Sequence, residues 1–133
     1  MHELKSVNGC YNRVTMFGSP LPEIDVQTLS EKMKSDEDFV LLDVREDDEL
    51  LRAKIVDRRM VHLPLSRLAS QGMAALPGSA QGQGRSVYVL CHHGNRSVQV
   101  TRWMLKAGLK NIFNVRGGID EYARRVDKSV GLY

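Results

Sequence analysis

The sequence predicts an α/β domain, a mostly parallel central sheet of about five strands with helices on both faces. Three observations lead there. Apolar runs at 39–44, 86–90 and 112–115 are strand-length and rich in β-branched residues. Stretches with helical spacing separate them, the alternation expected of strand–helix–strand units. Finally, 39–44 is apolar at nearly every position, so both sides of its pleat are covered, as in a parallel sheet between helical layers.

At 133 residues the chain has room for one domain and its core. A net charge of +3, from 19 basic and 16 acidic residues, is too mild to call for nucleic acid. No apolar run approaches the roughly 18 residues of a membrane span. Met1-His2-Glu3-Leu4-Lys5 lacks the apolar core of a secretion signal, so a cytoplasmic location is expected. Two cysteines, Cys10 and Cys91, make no disulfide framework, and there is no Cys-x-x-Cys pair to suggest zinc. No cofactor and no metal is called for. Cys10 lies in a polar terminal segment and reads as a bystander, with a resolving thiol for Cys91 as the sharper alternative.

Residues 1–22 are poorly patterned and end in Gly18-Ser19-Pro20-Leu21-Pro22, so they read as a leader with little regular structure before a single domain over 23–133. Asp25 can cap a short helix carrying Val26, Leu29 and Met33, which Ser35-Asp36-Glu37-Asp38 breaks. The strand at 39–44 follows. Its anomaly is Asp43, a carboxylate at the end of a buried strand, costly unless paired. Two readings stand: an ion pair or cap within Asp43-Val44-Arg45-Glu46, or a hydrogen bond to the cysteine loop.

Residues 46–54 read as a short surface helix. Met60-Val61-His62-Leu63-Pro64-Leu65 is a short strand closed by proline, and Ser66 opens a helix with Leu68 inward. His62 reads as a satisfied edge residue. The glycine-rich 77–85 is a surface connection. After the strand at 86–90, Val98, Thr101, Leu105 and Ala107 mark a helix face that Gly108 ends, with Trp103 and Met104 as packing. The strand at 112–115 turns through Arg116-Gly117-Gly118 into a helix marked by Ile119, Tyr122 and Val126. The double glycine lacks dinucleotide spacing and reads as a tight turn packed near the Cys91 loop.

Chemistry concentrates at Cys91-His92-His93-Gly94-Asn95-Arg96-Ser97. A cysteine at the carboxyl end of a parallel strand faces the open N–H groups and positive dipole of the next helix. Both favour the thiolate, and Arg96 adds a permanent charge to make an anion cradle. The spacing is Cys-x4-Arg. Cysteine phosphatases use Cys-x5-Arg, because a phosphoryl group with three equatorial oxygens needs a wider ring of amides. The shorter loop suits the outer sulfur of a persulfide.

Three segments together resemble the rhodanese homology domain: Cys91 to Ser97, Leu41-Leu42-Asp43-Val44-Arg45-Glu46, and Val115-Arg116-Gly117-Gly118-Ile119-Asp120-Glu121-Tyr122, spanning about residues 22–128. The resemblance implies a rhodanese-like fold and sulfurtransferase activity. Cys91 would accept sulfur as nucleophile, and His92, His93, Gly94, Asn95, Arg96 and Ser97 would form the substrate loop. Asp43 and Arg45 would support it. Arg96 would orient an anionic donor such as thiosulfate; a persulfide is the other donor class.

Many members carry arginine directly after the cysteine, where this chain has His92 and then His93. That weakens the expectation for thiosulfate and allows pH-dependent donor binding. The family's Gly-His-Ile-Pro-Gly-Ala stretch is degraded to Ala53-Lys54-Ile55-Val56-Asp57-Arg58. That stretch and the chain's ending are similar to rhodanese domains fused behind ubiquitin-activating-like enzymes, which suggests a thiol protein or a ubiquitin-like sulfur carrier as acceptor. A non-catalytic binding module and, on the same fold, a small phosphatase or arsenate reductase are the competing readings.

Overall fold

The computed structural model describes residues 10–15 and 18–133. β3 (Phe39–Asp43) is an interior strand, one in from an edge of the sheet, and is buried along its whole length. Around it the described strands run β1-β2-β6-β5-β3-β4. β4 is Met60–His62, β5 Ser86–Leu90 and β6 Ile112–Val115. β2 (Gly18–Ile24), β6, β5, β3 and β4 are mutually parallel, and β1 (Cys10–Thr15) closes one edge antiparallel. The predicted parallel sheet of about five strands is present, with one antiparallel strand added.

That added strand corrects the reading of residues 1–22. The described part of the segment is a β-hairpin rather than an irregular leader. Proline cannot donate to a ladder, so Pro20 and Pro22 argued against a strand. Yet β2 meets β6 only through Glu23 and Ile24, beyond both prolines. Cys10 pairs with Ile24 through its backbone. Its side chain, and with it the question of a resolving thiol, lies outside the described residues.

Alternation along the strands builds two cores. Val40, Leu42 and Val44 with Val87, Val89 and Cys91 face one side, against Val100 and Met104 of α3 (Asn95–Lys106) and Leu68 of α2 (Leu65–Gln71). Phe39, Leu41, Tyr88 and Leu90 face the other, against Val26 and Leu29 of α1 (Val26–Met33) and Ile119 and Tyr122 of α4 (Gly118–Arg125). Asp25 caps α1 as predicted, its carboxylate accepting from Thr28 N at 2.8 Å. No helix of the described residues is long and apolar enough to cross a membrane.

Residues 46–54 carry the short surface helix expected there, as a 3-10 turn at Asp47–Leu51 with Leu51 turned to solvent. One local reading shifts. The buried face of α3 is Ser97, Val100, Thr101 and Met104, about one residue away from the face drawn through Val98 and Leu105. Trp103 is consequently 40% exposed while Met104 is buried. The helix phase is set at its entry, where Gly94 adopts φ +103 and Ser97 turns in toward the sheet.

Candidate active site

Adjacent parallel strands end side by side, with Asp43 in register with Leu90. One residue further, β5 delivers Cys91 to the mouth of the sheet, and its side chain is fully buried. The backbone N–H groups of Gly94 and Ser97 donate to Sγ at 3.1 and 3.3 Å. The thiol donates in turn to Ser97 Oγ at 3.3 Å. Sulfur therefore sits among converging donors at the start of a twelve-residue helix. These are the groups that stabilise negative charge on it. The site is closed to solvent but polar.

Gly94 makes the turn possible. Its positive φ is one that L side chains rarely adopt, and a Cβ there would lie 3.2 Å from Gly117 N. The loop's outward carbonyls are taken by the next turn of the chain. Cys91 O accepts from Ile119 N at 2.9 Å, and His92 O from Asp120 N at 3.0 Å. A Cβ on Gly118 would come within 2.6 Å of Cys91 O. The double glycine is thus the tight turn against the cysteine loop that its sequence suggested.

Ser97 opens a buried polar chain that sequence reasoning missed. Its hydroxyl donates to Asn114 Oδ1 at 2.5 Å, and Asn114 Nδ2 donates to Glu23 Oε2 at 3.3 Å. All three side chains are buried. A polar residue inside the apolar run 112–115 was the available signal.

Asp43 and Arg45 stand apart from the sulfur. Arg45 is fully buried and binds Asp43 through Nε at 3.0 Å and Nη2 at 2.8 Å. Its Nη1 donates to the carbonyls of Glu49 and Ala53 and to Tyr133 Oη. Of the two readings of Asp43, the ion pair is the one observed. Its hydrogen bonds go to Arg45 and not to the cysteine loop. His62 is an edge residue, its Nε2 2.7 Å from Arg45 O.

Arg96 does not project freely over the loop. Its fork meets Glu49 in two parallel bonds of 2.7 and 2.8 Å. Glu49 is held further by Glu46 N and by the Tyr133 hydroxyl, each at 2.9 Å. Hydrogen bonding from Arg96 lowers the Glu49 pKa from 4.5 to about 2, so this carboxylate is ionised at any physiological pH. The same hydrogen bonds, donated to Glu49, raise the pKa of Arg96. Neither Glu49 nor Tyr133 stood out in the sequence, because the arginine of Glu49 lies 47 residues away and the hydrogen-bond partners of Tyr133 lie 84 and 88 residues away.

His92 lies flat on the Tyr133 ring, centroids 3.8 Å apart and planes within 6°. Burial, and then the neighbouring His93, push its pKa below the usual histidine range. His93 is exposed, with Nδ1 3.8 Å from Asp120. Asn95 is exposed at the first turn of α3. His92, His93 and Asp120 bring one ligand atom each within 4.8 Å of one another. The two imidazoles lie 3.9 Å apart with planes tilted by 32°, and Arg124 holds one oxygen of Asp120 at 2.9 Å.

A doubly covered parallel sheet whose central strand ends in a cysteine caged by the next helix defines a class of α/β domains with an anion loop. Within that class the family model described as Rhodanese-like domain matches residues 25–125, and the chain belongs to this family. It is 31% identical over 109 residues to the "Putative sulfur carrier protein YrkF" of Bacillus subtilis, covering 82% of this chain and 55% of that protein. The chain thus spans only about half the length of that relative. Over 102 residues it is 31% identical to a sulfurtransferase of Allochromatium vinosum, covering 77% of this chain and 88% of the other. Among solved structures, a rhodanese-related protein from Thermoplasma volcanium superposes with a TM-score of 0.62 at 30% identity, covering 78% and 92% of the two chains.

Proposed function

We propose that this domain is a sulfurtransferase that carries sulfane sulfur as a persulfide on Cys91. The thiolate attacks the outer sulfur of a donor, the donor's S–S bond breaks, and its remainder leaves with the electron pair. With thiosulfate the products are the enzyme persulfide and sulfite; with a thiol persulfide they are the enzyme persulfide and a thiolate. A nucleophilic acceptor then takes the outer sulfur and regenerates the thiolate. The observation that carries this reading is the pair of amides, Gly94 N and Ser97 N, aimed at the sulfur. Such preorganised donors stabilise charge on sulfur in both half-reactions.

The names of the Bacillus and Allochromatium relatives, a putative sulfur carrier protein and a sulfurtransferase, agree with sulfur transfer; the acceptor in this reading is a thiol protein or a ubiquitin-like sulfur carrier, and the location cytoplasmic. The full burial of Cys91 favours one competing reading, a binding module that never turns over.

Intact mass spectrometry decides between them. After exposure to thiosulfate or glutathione persulfide the protein should gain the mass of one sulfur atom, and cyanide should release it as thiocyanate. Cys91→Ser should abolish both signals. A wild-type protein that takes sulfur from neither donor is a binding module and not an enzyme.

A further inference from the structure

The arginine of the Cys91 loop and the buried arginine after β3 are both already matched. Arg45 is spent on Asp43 and on backbone carbonyls. Arg96 offers both of its terminal nitrogens to Glu49, in the fork-to-carboxylate geometry by which arginine binds any planar or tetrahedral oxyanion. Glu49 is no casual surface partner. Four hydrogen bonds hold its two oxygens, from Arg96 Nη1, Arg96 Nη2, Glu46 N and Tyr133 Oη, and its side chain is only 14% exposed. His92, the other basic group covering the loop, is partly buried under Tyr133, an environment that resists charging.

We propose that Glu49 sets donor specificity: its carboxylate occupies the arginine fork that a sulfonate would need, and so turns the site from thiosulfate toward thiol persulfides. This deepens the sulfurtransferase reading and rests on it. The charge balance gives the reason. Thiolate plus thiosulfate gathers three negative charges beside Glu49, and these are conserved in the products, persulfide anion and sulfite. Thiolate plus a protonated thiol persulfide, R–S–SH, gathers one. The thiolate bonds to the SH-bearing sulfur, the R–S bond to it breaks, and R–S⁻ departs, leaving Cys91–S–SH. Only the first reaction needs a free cation, and Glu49 has taken the arginine of the loop.

The test compares kcat/KM for thiosulfate with that for glutathione persulfide and for persulfidated serum albumin, in the wild type and in Glu49→Gln. Either persulfide should outpace thiosulfate in the wild type, and whichever is faster assigns a small or a protein thiol as its source. Glu49→Gln should raise the thiosulfate-to-persulfide ratio by about tenfold or more, since like charges brought together in a partly buried site are strongly disfavoured. Tyr133→Phe, which removes one of the four hydrogen bonds holding the carboxylate, should move the ratio the same way by less and serves if Glu49→Gln does not fold. An unchanged ratio in the folded variants overturns the inference and leaves Glu49 a structural partner. A wild type that accepts sulfur from no donor overturns the sulfurtransferase reading as well, so the two failures are told apart by which protein shows them.

Discussion

Two arginine–carboxylate pairs lie within one turn of chain of each other and do opposite things. Asp43–Arg45 is sealed, with side chains 1% and 0% exposed; Glu49–Arg96 stands at the mouth, 14% and 31% exposed. The first consists of residues two apart at the end of one strand, and Arg45's remaining donors are absorbed by carbonyls of the following turn. It staples the segment after β3 into place. The second joins that same turn to the helix after Cys91, across 47 residues. One pair is architecture, and on our proposal the other regulates what reaches the sulfur. What separates them is access to water, since a buried pair that loses one partner strands a charge and a half-open pair does not.

That contrast can be broken in order of size. Arg45→Met leaves the Asp43 carboxylate buried without a counter-charge and should cost about 3–5 kcal/mol of stability, read from the urea midpoint. Arg96→Met leaves Glu49 a partly hydrated carboxylate and should cost about 1 kcal/mol in the same assay. Equal losses would mean that the two pairs are equivalent after all.

Acid sharpens the comparison further. Glu49 titrates at about 2 when folded against an ordinary 4.5. A lowered folded pKa contributes stability that is complete above the unfolded value and disappears as pH falls through the folded one. The loss should therefore fall between about pH 4.5 and 2, amount to about 1 kcal/mol after solvent screening, and be absent from Arg96→Met. Denaturant midpoints measured across that range would check it.

Much of this was legible in the residues. The apolar runs located β3, β5 and β6, and the abrupt stop at Cys91 followed by Gly94 and Arg96 marked the loop, because strand burial and loop chemistry are local properties. The ion-pair reading of Asp43 was open beside its alternative for the same reason: Arg45 is two residues away. Glu49, Tyr133, Asn114 and Glu23 were not legible as a set. Each acquires its role only when distant segments meet, and a surface-looking acid such as Glu49 gives no sign of which arginine it will hold. The hairpin at β1 and β2 was hidden by prolines that occupy the part of β2 not bonded to β6. The face of α3 was misdrawn by one residue because Val98 and Leu105 fit a helical stripe as well as Val100 and Met104 do.

The hydrogen bonds from Ile119 and Asp120 to the carbonyls of Cys91 and His92 have a consequence for biosynthesis. The thiol's cage is held from behind by a helix that leaves the ribosome more than twenty-five residues after the cysteine itself. A nascent chain that has emerged only as far as β5 lacks these two bonds, and the cage around the thiol is complete only when α4 docks. Stalled chains ending near residue 110 should therefore react with iodoacetamide at the rate of an unstructured thiol, and only chains extending past α4 should depart from it.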